Sequence, residues 1–176
     1  MRAPIAALIL TIAIAPHGAV AQGHAPYAGM ETRSIKALSA QQIADLREGR
    51  GMGLALPAEL NGYPGPMHVL EQADALRLSD AQRAATQAIF VTMRADARAL
   101  GERLIEQEAA LDQLFASGTA SEATLASATS AIAATQAALR AAHLRAHIAQ
   151  RALLSEEQTK RYAELRGYGG THRQHQ

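Results

Sequence analysis

Two histidines four residues apart, His143 and His147, are the pair in this chain best spaced to do chemistry. Residues i and i+4 are neighbours on one helix face. At about 100° per residue His143 falls in line with Leu125, and His147 lies about 40° away, so both sit on or beside a stripe expected to face inward. Two imidazoles on one face can point at one ion, which is a metal-ligand spacing. The same spacing serves two structural histidines hydrogen-bonded at a hairpin base or dimer interface. His24, Met30 and Met52 in the first third, and His172 and His175 at the end, are further donors by type. Each is more often an ordinary exposed or gap-filling side chain.

Catalysis has less to work with. The 176-residue chain has no cysteine, no glycine-rich phosphate loop opening off a strand, and no acid/base constellation beyond that of any charged helix. "GRGMG" (Gly49 to Gly53) has no strand before it and is expected to be a loop. The chain is therefore read as non-enzymatic, with no cofactor required and a divalent zinc, copper, nickel or cobalt ion as the option for the imidazoles.

The elements that must hold such residues are announced by a pentapeptide. Leu-Ser-x-x-Gln occurs at Leu38 to Gln42, Leu78 to Gln82 and Leu154 to Gln158. A serine N-cap accepts from the backbone N–H three residues on, and a glutamine at that position reaches back to the cap's own N–H. Asp80, and Glu156 with Glu157, add charge that suits the positive end of a helix dipole. Each copy is a helix start.

The N-terminus begins with Arg2, continues through the apolar "APIAALILTIAIA" and reaches the small-x-small site Ala19-Val20-Ala21. That order predicts a secretory signal peptide over 1–21 and an exported, periplasmic protein with no stable membrane insertion after cleavage. Without cysteine, such a fold must rest on packing alone. Loss of Arg2 reduces 17 basic residues to 16, against 16 acidic ones. A balanced charge lacks the basic excess of a general nucleic-acid binder. Abundant alanine and leucine with few β-branched residues favour helix.

Organisation follows from the periodicity. Residues 22–66 are irregular with one short helix, Ser39 to Glu48. Pro66 at a helix N1 position opens a short helix to about Leu76. From Ser79, the residues Phe90, Met93, Ala97, Leu100, Leu104, Gln107, Leu111 and Leu114 alternate at three and four, an a/d seam of coiled-coil type. "ASGTAS" breaks this helix, and Thr119-x-x-Glu122 is expected to cap the next. Its seam, Leu125, Ala128, Ile132, Thr135, Leu139, Ala142 and Ala146, is built mostly of small residues. A last helix runs to about Arg166, and 169–176 form a frayed tail. The expected fold is all-α: a long antiparallel helical hairpin over 67–168 with short flanking helices. The small-residue seam offers little apolar area, which favours a homodimer.

An exported, cysteine-free helical chain with "LSDAQ" opening one long helix and "LLSEEQTKRYAEL" closing the hairpin resembles the Spy/CpxP family, whose motif is LTxxQ. Serine stands here for threonine, and Leu78, Ser79, Gln82, Leu154, Ser155 and Gln158 carry the match. The resemblance implies a periplasmic ATP-independent chaperone or envelope-stress binding protein, curved and dimeric. Its partners would be unfolded or stress-damaged proteins, or a membrane-bound sensor or regulator. Arg94, Arg98, Arg140 and Arg145 would then serve client binding, with apolar stems and charged heads. A related branch of heavy-metal-resistance and metal-sensing proteins implies instead that His68 and Glu71 fold back to complete a site with His143 and His147.

Overall fold

The computed structural model describes residues 26–168. The signal-peptide and tail expectations, with His24, His172 and His175, lie outside the described residues. Within them the chain is all helical: a 3-10 turn at Met30–Thr32, then α1 (Ala40–Glu48), α2 (Leu56–Glu59), α3 (Pro66–Glu71), α4 (Asp80–Ala116), α5 (Glu122–Leu153) and α6 (Glu156–Leu165). No described helix is long and apolar enough to cross a membrane.

All three Leu-Ser-x-x-Gln copies start helices as their chemistry demands. Ser39, Ser79 and Ser155 accept from the N3 backbone while Gln42, Gln82 and Gln158 accept from the cap N–H. The cap of α5 lies two residues beyond the expected Thr119. Ser121 takes the N-cap and pairs with Thr124, whose hydroxyl accepts from the Ser121 N–H at 2.8 Å. Thr119 instead closes the preceding turn, its hydroxyl 2.8 Å from that of Ser117. The short helix expected to reach Leu76 stops at Glu71 and continues as hydrogen-bonded turns to Leu78.

α4 and α5 pack along one another in opposite directions: Gln150, late in α5, donates to Thr86, early in α4, at 3.1 Å. The α5 stripe is buried at Ile132, Thr135, Leu139, Ala142 and Ala146. In α4 the buried positions are Thr86, Ala97, Gly101, Leu104 and Ile105, so the apolar face is rotated from the expected seam, with Phe90, Met93 and Leu100 only half-buried.

The segment before α3 is no separate appendage. Ile35 and Leu46 share one core cluster with Ala97, Leu104, Ile105, Ile132 and Leu139. α1 packs against α4 most closely at Gly101, where an added Cβ would strike the Leu46 carbonyl. The last carbonyls of α1 find partners on α4: Arg94 Nε donates to Glu48 O and Arg98 Nε to Arg47 O, both at 3.1 Å. The left-handed Gly49 (φ 67°) ends α1 there. A second cluster, Val69, Ala73, Leu76, Leu78, Leu154 and Tyr162, fills the open end of the helix pair under α3 and α6.

Candidate functional site

At that open end the second and third motif copies meet. Gln82 Nε2 donates to Gln158 Oε1 at 2.9 Å, and Gln158 Nε2 returns a bond to Gln82 Oε1 at 3.0 Å. Each amide also reaches a carbonyl of the chain end it faces, Gln82 to Leu153 O (3.0 Å) and Gln158 to Leu76 O (3.3 Å). Leu78 and Leu154 are buried beneath this pair. The motif thus spells a helix start and a cross-link between two helix starts. It also demands glutamine, because a glutamate would cap equally well but has no N–H to donate.

Beside it lies a polar knot that no spacing in the sequence announces. Glu59, at the end of α2, is only 9% exposed. Its Oε1 accepts from Tyr162 OH at 2.6 Å and Tyr168 OH at 2.9 Å, and its Oε2 from the Gly65 N–H at 3.1 Å. Arg166 Nε stands 3.6 Å away. A buried carboxylate needs such a shell to offset lost hydration. Burial raises both phenols above their ordinary range and the bonds to Glu59 add to it, so both stay protonated donors. Glu59 lies in a Gly/Pro-dense stretch that reads as loop. Its two phenol partners are 103 and 109 residues away, which leaves no local periodicity to reveal them.

The knot forms one wall of a cavity of about 490 Å3, closed on the other side by the Gly49–Gly53 loop and floored by α4 and α5. His68, His143 and His147 all line it. His147 Nδ1 donates to Tyr63 O at 2.7 Å and lies 3.8 Å from Glu59 Oε2. Gly65 admits this ring: a Cβ there would sit 3.0 Å from His147 Cε1. His143 is 4% exposed, and its Nε2 has no partner among the described residues. Its Nδ1 faces Gly51 of the loop. Burial, with the neighbouring His147, lowers its pKa and keeps the ring neutral. His68 Nδ1 is bonded to Glu71 Oε2 at 2.8 Å, on α3. No group of three or more His, Cys, Asp or Glu among the described residues is arranged to hold a metal ion. Neutral imidazole nitrogens remain the ligands a metal would use there.

The four arginines separate into two kinds. Arg94 and Arg98 hold the end of α1 through their Nε atoms, a structural task that sequence reading missed. Arg140 and Arg145 are exposed on α5. Val91 and Ile148, 55% and 59% exposed, lie one turn from Arg94 and Arg145 on their helices.

Comparison with protein-family models, with curated proteins and with solved structures finds no match.

Proposed function

We propose that this chain is a periplasmic ATP-independent chaperone or envelope-stress binding protein, non-enzymatic, working as a homodimer of antiparallel helical hairpins in the manner of the Spy/CpxP proteins it resembles. The observation that carries the reading is the mixed surface of the long helices, where exposed Val91 and Ile148 each neighbour an arginine. Large apolar side chains left in water beside guanidinium groups suit segments of unfolded protein, which offer apolar residues and carbonyl oxygens together. Paired motifs at the base of α4 and α5 support the family reading.

Light scattering of an aggregating client, followed with and without the full chain, tests it. Suppression is expected near equimolar chaperone, weakened by a Val91→Ser, Ile148→Ser double variant. No suppression at several-fold excess removes the reading. Sedimentation equilibrium tests the dimer, and a monomer throughout the micromolar range counts against it.

That His68, His143 and His147 line one cavity supports a second reading, a periplasmic metal-binding or metal-sensing protein of a resistance system whose ligands would have to draw together around the ion. Glu71, held by His68, would steady that ligand. Calorimetric titration with zinc and copper should then show micromolar binding, lost in a His143→Ala, His147→Ala variant and weakened as pH falls through the histidine range. Equal binding by the variant places the metal elsewhere.

A further inference from the structure

We infer that the cavity between the Gly49–Gly53 loop and the two long helices is a binding site for a small apolar monocarboxylate, an acyl or arylalkyl chain carrying one anionic head. The cavity is the one whose histidines the metal reading uses, and EDTA in the titration below separates the two kinds of ligand. Its volume, about 490 Å3, falls in the range of small-ligand sites. Met52, Met67, Met93, Phe90 and Leu56 supply its apolar wall. Methionine is unbranched and polarizable, so three of them make a surface that adapts to a chain of varied shape. Met52 and Met67 are each over 40% exposed at the rim. Met52 moreover holds a left-handed backbone (φ 42°) that a non-glycine residue adopts at a cost.

Charge decides the head group. Every Asp and Glu of the chain lies among the described residues. The two carboxylates on the cavity wall are both engaged: Glu48 by Arg50 at 2.7 Å, and Glu59 by Tyr162, Tyr168 and the Gly65 N–H. Arg94 is the opposite case. Its Nε is fixed on Glu48 O, which orients the guanidinium, and it pairs with no carboxylate among the described residues. Its remaining N–H groups are therefore pre-positioned donors without an anion. His143, buried and with an unpartnered nitrogen, is a second polar group on this wall, and a neutral one that neither repels nor replaces the anion. A ligand with one carboxylate and an apolar body answers both features, whereas an ammonium head would meet Arg94.

The methionine methyl groups report occupancy directly. In the full chain labelled with 13C-methyl methionine, titration with octanoate in the presence of EDTA should shift Met52, Met67 and Met93 while Met30, outside the cavity, stays still. Octanamide and octylammonium, matched in length, should bind about tenfold more weakly, the worth of one charge-assisted hydrogen bond. Arg94→Gln should bring octanoate down to octanamide. Met93→Trp, which fills the space, should abolish binding, and the unchanged Met30 signal with a cooperative thermal transition will show that this variant is folded. The inference is overturned if octanoate leaves the three signals unmoved, if it moves Met30 equally, if octylammonium binds as tightly as octanoate, or if binding vanishes in EDTA. The wild-type titration alone decides these, so a misfolded variant does not shelter the proposal.

Discussion

At the scale of single residues, the most consequential group is Glu59, a side chain with no distinguishing context in the sequence. Its carboxylate ties α2 to α6 and to Tyr168 through two phenols. A hydrogen bond to a charged group contributes about 1.5–3 kcal/mol, so Tyr162→Phe should cost about that amount in urea unfolding, while Glu59→Gln should cost more by leaving two phenols with a poorer acceptor. The double variant should cost less than the sum, and additive costs would show that the two groups do not act together. His143 makes a second residue-scale prediction, with a defined sign. Its folded pKa lies below the unfolded value of about 6.5, so the unfolded chain binds the extra proton first. The contribution of the neutral ring is complete above about pH 6.5 and falls away as pH drops toward the folded pKa. Wild type should therefore lose stability between neutral pH and about 5 relative to His143→Leu, measured as the difference in urea midpoints at each pH. A constant difference would mean that His143 is not held neutral. The spacing of His143 and His147 identified an inward pair; that Nε2 of one would lack a partner depended on what distant parts of the chain pack against α5, which spacing does not encode.

At the scale of elements, the helix starts were legible because a capping box is complete within five residues. Each of the three boxes forms as its letters dictate. What the letters do not separate is the copy that only caps from the copies that also join. Gln42 makes its box and nothing else among the described residues, whereas Gln82 and Gln158 exchange bonds across 76 positions of chain. Gln42→Glu should accordingly stay within about 0.5 kcal/mol of wild type, since glutamate serves an N3 position equally. Gln82→Glu and Gln158→Glu should each cost about 2–3 kcal/mol, because two donors vanish and a carboxylate is set against another acceptor. Thermal melting of the three variants checks this, and equal effects in all three would reduce the motif to a cap. The heptad-like seam was legible in position but rotated in use on α4. Gly101 is buried there although it lies between Leu100 and Leu104 in the expected stripe, because the end of α1 needs a residue without a side chain to lie against.

At the scale of the whole molecule, the sequence divides where the structure does not. Gly and Pro density over 49–66 marks a boundary between an irregular segment and a helical hairpin, and local composition offers no reason to join them. Packing does. Ile35 and Leu46 complete the cluster around Leu104, Ile132 and Leu139, α1 ends on the Arg94 and Arg98 side chains, and Glu59 anchors the last helix. The stripe on α4 and α5 is rich in small residues and supplies limited apolar area of its own, so the segment provides core that the two long helices lack. Removing residues 22–66 should therefore do more than trim a tail. The remainder should keep much of its helical signal, because the caps and the α4–α5 contact persist. It should lose its cooperative transition, because Leu104, Ile105 and Leu139 would be opened to water and Tyr162 would lose its acceptor. Far-ultraviolet circular dichroism read against temperature, together with dye binding to exposed apolar surface, distinguishes the cases. A sharp transition at the wild-type midpoint would show that residues 67–168 fold on their own. A broad melt with retained helix and strong dye binding is the expected outcome, and it places the N-terminal third inside the folding unit.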